Sequence, residues 1–361
     1  MMLPRITRLL ARVHPVLRRA LRPVLDPARR YRHAKVIHAA RVALGLLTSI
    51  ALTTGIRLPH GEWASITLLV VIGGLQHHGN IRKKAAERAL GTLIGAGAGL
   101  VIILQQSYFH APLLSYALIV IACAICAYHA IGKGGYVALL SAITIFIVAG
   151  HGENAIADGL WRAADVLIGI AIALLFSFAL PLHATYTWRY KLAEALRSCA
   201  RMHTAIVNDA GFDRAVLQRA MVLQGSLLVQ LRSLMPSVAK EINVSMEQLE
   251  AIQHGMRVCI SLLEVLAATR PRVDDEEDKT FVRDHLAEEN RRVCAMLIGM
   301  ARALTHGVVA RLAPRGSCSL AQTAGTVAPQ WAGYISLTLR LSDEFDDLRQ
   351  RLAAIADRWN I

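Results

Sequence analysis

Six apolar segments lie in the first half of this chain, and they constrain its fold more than any other feature. A helix needs roughly 20 apolar residues to cross the hydrocarbon core of a bilayer. The segments cover 35–56, 62–77, 87–105, 112–131, 135–150 and 161–182. The second and fifth are short for a full crossing, so merged or re-entrant segments stay open there. The pattern predicts an all-α membrane protein built on a six-transmembrane-helix bundle.

Basic residues are concentrated in the same half. Residues 1–184 carry 18 Lys and Arg against 6 Asp and Glu, whereas residues 185–361 carry 22 against 20, so the net charges are +12 and +2. A DNA-binding domain would instead place its basic patch on a soluble face. The distribution favours basic loops beside a lipid bilayer and argues against a nucleic-acid partner.

The connections between the apolar segments alternate in charge. Segment 1–35 holds ten Lys and Arg and segment 82–88 holds four, whereas 57–61 holds one and 106–111 none. By the positive-inside rule, both termini are expected in the cytoplasm of a bacterium, with the chain crossing the inner membrane several times. We divide the chain into a basic N-terminal arm, 1–33, a membrane domain, 34–182, and a cytoplasmic helical domain, 183–361.

The N-terminal arm has arginines at helical spacing between apolar residues, among them Arg5, Arg8, Arg12, Arg19 and Arg22. Such a pattern is typical of an amphipathic helix on the anionic inner leaflet. A disordered basic tail that only fixes the topology is the alternative. Beyond Pro181, amphipathic patterns predict cytoplasmic helices near 185–208, 213–235, 244–269, 276–306 and 330–358.

No motif indicates an enzyme. The six cysteines are scattered without metal-ligand spacing, and no phosphate-binding, dinucleotide-binding or zinc-protease motif occurs. We therefore expect no catalytic activity, no metal site and no cofactor.

The basic segment 82–88, which we interpret as a cationic elbow between two spans, contains Arg82, Lys83, Lys84 and Arg88. Arg88 is predicted to lie at membrane depth, where a charge is costly and needs a partner or a function. The partner is either another span or an anionic substrate, unless the side chain extends to the inner interface. We predict that Arg82, Lys84 and Arg88 bind the anion.

Three further groups of residues complete the predicted site. Trp63 and Thr67 lie one helical turn apart and suit an aromatic guest, or else an interfacial anchor with a back-bonded threonine. Arg162 and Asp165 form either an internal ion pair or a proton-coupling site in the sixth span. The third span carries glycines on one face, which predicts close helix packing. These are Gly91, Gly95 and Gly99.

These residues resemble the hallmark of a known family. Trp63-x2-Ile66-Thr67 and Arg88-x2-Gly91-Thr92-x2-Gly95-x3-Gly99 are similar to the fusaric acid resistance (FUSC) family of aromatic acid exporters. Arg162, Asp165 and Gly169 ahead of an apolar run also look like that family. The resemblance covers about 34–200, while the later helices match only in character.

The resemblance implies an inner-membrane exporter of organic carboxylate anions, which are aromatic in some members. Export is usually driven by the proton gradient. Larger members hold two membrane halves, each followed by a soluble helical domain. The single-copy layout also resembles the distantly related plant aluminium-activated malate transporters, which implies a homodimer here. A periplasmic adaptor is left open. Two alternatives remain, a passive anion channel of the same fold and a membrane-anchored scaffold that acts through its cytoplasmic helices.

Overall fold

The structure is a computed structural model that describes residues 27–73, 78–132, 134–151, 155–179, 182–208, 214–271, 273, 276–313 and 329–359. All regular secondary structure in these ranges is helical, which confirms the predicted all-α class. The arginine pattern of the N-terminal arm lies outside the described residues. The chain divides into two compact units between Leu182 and His183. We call them the membrane unit and the C-terminal unit and describe each by itself.

Within the described residues, the membrane unit contains one short helix and six apolar ones. They are α1 (Pro27–Arg32), α2 (Ala34–Ile56), α3 (Glu62–Ile72), α4 (His78–Phe109), α5 (Pro112–Ala130), α6 (Gly135–Ala149) and α7 (Ile156–Ala179). Helices α2, α4, α5 and α7 are long and apolar enough to cross a membrane, whereas α3 and α6 are shorter. Large apolar side chains of α2 and α5 face outward, Leu47 and Leu113 among them, as a lipid-facing surface requires.

The two short helices correspond to the segments that the sequence predicts to be short. Helix α3 has 11 residues and is therefore about 16 Å long, half of the hydrocarbon thickness. It ends before Gly73, earlier than the predicted boundary at residue 77. Helix α6 ends at Ala149 and is followed by Gly150, whose φ of 58° suits glycine.

Two helices occupy the centre of the membrane unit. Helix α4 packs on both α6 and α7, and α7 also packs on α3. Helices α2 and α5 have fewer neighbours and lie at the periphery. Two apolar clusters result, one shared by α3, α4 and α7 and the other by α4, α5 and α6.

The basic segment 82–88 is helical, which corrects the predicted cationic turn. Helix α4 begins at His78 and includes all seven residues. The composition explains the difference, because alanine, lysine, arginine and glutamate are all strong helix formers. Lys83 and Glu87 also form an i,i+4 pair at 3.6 Å. The four cations therefore lie on the first turns of a long central helix.

The helices of the C-terminal unit agree closely with those predicted. They are α8 (Ala184–Asn208), α9 (Arg214–Ile242), α10 (Met246–Thr269), α11 (Glu276–Phe281), α12 (Ala287–His306) and α13 (Pro329–Ile355), with a π-helical turn at Val282–Leu286 and 3-10 turns at Val309–Leu312 and Ala356–Arg358. Helix α9 extends seven residues beyond the predicted end at 235, even though it contains Pro236. Trp331, Phe345 and Trp359 are fully buried in the core of this unit.

Helix α10 is also long and apolar enough to cross a membrane by length and composition alone. Its apolar face is nevertheless part of the protein core. Leu249, Met256 and Leu263 are fully buried, and the helix packs against α9 and α13. A capping box at Ser245 and Gln248 satisfies its first turn.

Candidate functional site

Arg88 is the most unusual residue of the membrane unit. Its side chain is only 3% exposed, and its buried Nε has no hydrogen-bond partner in the described part of the chain. Among the described residues, no carboxylate forms an ion pair with it, and the neighbouring Glu87 is paired with Lys83 instead. Tyr136 at the start of α6 is close enough to interact with it electrostatically. A buried cation without a counter-ion is costly, so this position is suited to an anion from outside the chain.

The other predicted anion-binding cations are near Arg88 in sequence but differ in burial. Lys84 is partly exposed, and Lys83 is exposed and held by Glu87. Arg82 lies on the same helix, and its side chain is outside the described residues. We call the start of α4, residues 81–88, the basic end of the bundle.

Two buried hydroxyl groups also lack partners. Thr67 on α3 and Thr92 on α4 are at most 1% exposed, and neither Oγ1 has a hydrogen-bond partner within the described part of the chain. Thr92 follows Arg88 by four residues and therefore shares its helix face. Trp63 is partly buried against the apolar cluster of α3, α4 and α7. Unsatisfied hydroxyls next to a cation can donate to a carboxylate.

Asp165 on α7 is a buried acidic residue of the membrane unit. It is fully buried, and neither carboxylate oxygen has a hydrogen-bond partner among the described residues. Arg162 does not pair with it, because Arg162 Nη1 donates to the Ile147 carbonyl of α6 at 2.7 Å. The internal ion pair, one of the two predicted alternatives, is therefore not formed among the described residues.

His60 connects the acidic residues around Asp165, and sequence reasoning missed it. Its Nε2 lies 3.6 Å from Asp158 of α7, and its Nδ1 lies 3.9 Å from Glu62 of α3. Both His60 and Glu62 interact electrostatically with Asp165. The available signal was the spacing of His60, in the loop before α3, and Glu62, the first residue of α3. We call this region, His60 to Glu62 with Asp158 to Asp165, the acidic end of the bundle.

Arg41 is a second buried arginine that sequence reasoning missed. It lies in α2, is fully buried, and its Nη2 donates to His38 Nδ1 at 2.8 Å. His38 Nε2 then lies 3.2 Å from the Gly73 carbonyl at the end of α3. With the proton on Nε2, His38 both accepts from Arg41 and caps the short helix. The signal for it in the sequence was an arginine at the seventh position of the predicted span 35–56.

The glycines of α4 face α6. A Cβ atom at Gly91 would lie 2.7 Å from Leu140 Cβ, and one at Gly95 would lie 2.5 Å from the Ser141 carbonyl. At Gly99 the nearest atom would be Val148 Cβ at 2.9 Å. Such distances leave no room for a methyl group, so the two helix backbones approach closely along this face.

The cysteines in the described structure form no disulfide bond. Five of them are free thiols there, and burial raises the pKa of Cys199 to about 12. Within the described ranges, no group of three or more histidine, cysteine or acidic residues is arranged to hold a metal ion.

Comparison with known proteins decides the family. The model of the fusaric acid resistance protein family matches residues 35–358. The chain belongs to this family. The match extends through the C-terminal unit and therefore reaches much further than the predicted resemblance over 34–200. It agrees with the family expected from Trp63, Arg88 and the glycines that follow.

Two relatives illustrate the similarity. The chain is 31% identical over 249 residues to inner membrane protein YeeA of Escherichia coli K12, an alignment that covers 67% of this chain and 69% of the relative. It is also 31% identical over 158 residues to AaeB of Escherichia coli O9:H4, described as a p-hydroxybenzoic acid efflux pump subunit. That second alignment covers 37% of this chain and only 23% of the relative.

Proposed function

We propose that this protein exports organic carboxylate anions, in particular aromatic ones, across the bacterial inner membrane. The observation that carries the proposal is Arg88, a buried arginine that no carboxylate neutralises within the described residues. A carboxylate ligand would supply the missing charge and accept hydrogen bonds from the guanidinium. The two termini lie in the cytoplasm in this proposal, so the basic end is the entrance.

The route begins with the cations at the start of α4. Arg82 and Lys84 raise the local concentration of anions by their field. Arg88 then binds the carboxylate, and the free hydroxyls of Thr67 and Thr92 supply further donors. Trp63 provides an aromatic surface on the same helix as Thr67.

The proton gradient drives export in this proposal. Asp165 is a buried carboxylate without a hydrogen-bond partner among the described residues, and it lies in the same region as His60 and Glu62. An ionisable group inside a span is suited to carry a proton, which Asp165 takes up from the periplasmic side in this proposal. Arg162 lies one turn away and sets the local field.

The relatives support the transport class and the membrane. One relative is described as an inner membrane protein and the other as a subunit of an efflux pump for p-hydroxybenzoic acid. We further propose a homodimer, because larger family members hold two membrane halves in one chain. Co-purification with a periplasmic protein would reveal whether an adaptor takes part.

Arg88→Gln tests the proposal. We expect the uptake of radiolabelled p-hydroxybenzoate into everted membrane vesicles to show a half-saturating concentration raised about tenfold to a hundredfold, the effect of losing a charge-assisted hydrogen bond. Lys83→Gln is the matched control, since it removes a cation that Glu87 already holds. Unchanged uptake by Arg88→Gln, at normal protein levels in the membrane, would contradict the role of Arg88.

A further inference from the structure

The six apolar helices of the membrane unit divide into two sets of three, α2–α4 and α5–α7, that follow the same pattern. In each set the middle helix is short, with 11 residues in α3 and 15 in α6. The third helix of each set packs on the middle helix of the other, α4 on α6 and α7 on α3. The two third helices also pack on each other. This exchange of partners is what two copies of one motif, related by a two-fold axis, would produce.

The sequence repeats at the same places. Residues 88–95 read RALGTLIG and residues 162–169 read RAADVLIG, so five of eight positions are identical. In the middle helices, residues 66–73 read ITLLVVIG and residues 143–150 read ITIFIVAG, with four of eight identical. Arg88 therefore corresponds to Arg162.

A close backbone contact between helices repeats as well, independently of the sequence match. A Cβ atom at Gly95 would lie 2.5 Å from the Ser141 carbonyl, and one at Gly169 would lie 2.3 Å from the Ala64 carbonyl. The two glycines correspond in the aligned third helices. Ala64 and Ser141 each precede the aligned threonine of their middle helix by three residues. One contact of the fold thus occurs twice.

The two sets run in opposite directions. Helices α4 and α6 are parallel, because Gly91 faces Leu140 whereas Gly99 faces Val148. Consecutive spans cross a membrane in opposite directions, so α3 is antiparallel to α4 and therefore to α6. The repeats are inverted, and Arg88 and Arg162 lie at opposite ends of the bundle. Transporters built from inverted repeats bind substrate between the repeats and alternate access between the two ends.

We infer that Arg162 is the counterpart of Arg88 at the acidic end and binds the same carboxylate there before release. This inference rests on the proposed export of organic anions. The two arginines differ in their present contacts. Arg162 donates to the Ile147 carbonyl, whose counterpart in α3 is that of Val70. Among the described residues Arg88 makes no such bond, so its guanidinium is available to an anion.

The difference between the two arginines indicates how access alternates. In this structure the acidic-end arginine is held by a helix-end carbonyl, and the basic-end arginine is not. In the opposite state Arg88 would donate to the Val70 carbonyl and Arg162 would be released toward its own anion. Each arginine then binds substrate only when its own end is open.

The test measures substrate affinity separately on the two faces. Exchange of radiolabelled p-hydroxybenzoate is followed in everted and in right-side-out vesicles that contain the full chain. We expect Arg162→Gln to raise the half-saturating concentration on the periplasmic face about tenfold to a hundredfold. The value on the cytoplasmic face should stay within about twofold, as for a distant surface change. Arg88→Gln should show the reverse.

Two variants separate binding from a structural role. Arg162→Lys keeps the positive charge and should recover most of the periplasmic affinity. Arg57→Gln removes an exposed cation in the loop before α3, outside the repeated motif, and should change neither face. An equal effect of Arg162→Gln on both faces, or none on the periplasmic face, would overturn the inference.

A second measurement decides the inference if the wild-type protein exchanges no p-hydroxybenzoate, which would count against the proposed function alone. Cysteine is placed at Arg162 or at Arg88 after Cys123, Cys126, Cys294 and Cys318 are replaced by serine, while the fully buried Cys199 and Cys259 are kept. A membrane-impermeant maleimide should label Arg162→Cys only in right-side-out vesicles and Arg88→Cys only in everted ones. Labelling of Arg162→Cys from the cytoplasmic face, or from neither face, would rule out an anion site at the acidic end.

Discussion

At the scale of single residues, the membrane unit is distinguished by two buried ionisable side chains that no described residue pairs. Arg88 and Asp165 each occupy a position where an unpaired charge is costly, and neither forms an ion pair with a described residue. A merely structural protein would gain stability by replacing both with apolar residues. The proposed function explains their presence by reversible binding, of an anion at Arg88 and of a proton at Asp165.

Asp165→Asn tests whether Asp165 couples export to the proton gradient. The amide cannot take up a proton, so we expect export of p-hydroxybenzoate in vesicles to lose its dependence on the pH gradient and to fall to the rate seen with an uncoupler. Asp158→Asn is the matched control, because Asp158 is half exposed and its one ion pair among the described residues is with His60. Export by Asp165→Asn that still responds fully to the gradient would contradict a coupling role.

At the scale of helices, sequence reasoning was most successful where hydrophobic periodicity alone determines the structure. The predicted helix 244–269 differs from α10 by two residues at its start. Segment 82–88 was wrongly predicted to be a turn, because four cations next to an apolar run are typical of a loop. Their intrinsic helix propensity prevailed instead, since α4 extends beyond the hydrocarbon core, where charge is tolerated.

Partners of individual side chains could not be predicted, because they depend on which helices meet. The sequence allowed an i,i+3 pair of Arg162 with Asp165, but α6 ends beside Arg162 and offers the Ile147 carbonyl. His60 and His38 gained their contacts in the same way, from Asp158 and from the Gly73 carbonyl, which are distant in sequence. The sequence shows only two short matches between the repeats, which could arise by chance. The equivalent helix contacts at Gly95 and Gly169, which only the structure shows, identify them as parts of one repeat.

The packing of α4 on α6 and of α7 on α3 leads to a matched prediction. Gly95→Ala and Gly169→Ala each force a methyl group against a backbone carbonyl, so each should lower the free energy of unfolding by about 1–3 kcal/mol. Gly97→Ala is the control on the same helix, since nothing lies within 4 Å of its added methyl group. Thermal unfolding of the purified full chain in detergent measures all three. A loss of stability in Gly97→Ala as large as in Gly95→Ala would contradict the close-packing explanation.

At the scale of the whole molecule, the response of substrate flux to substrate on the far side distinguishes a carrier from a channel of the same fold. In a carrier the binding site returns faster when it is loaded, so unlabelled p-hydroxybenzoate on the far side should accelerate the movement of labelled substrate. In a passive channel the same addition leaves the unidirectional flux unchanged or slows it by occupying the pore. Because each end carries its own arginine, we expect acceleration in either direction. Vesicles of both orientations measure this directly. In Arg162→Gln, periplasmic substrate should no longer accelerate the flux at concentrations that suffice for the wild-type protein. A much higher concentration of periplasmic substrate should restore the acceleration. Flux that never accelerates in the wild-type protein would favour the channel.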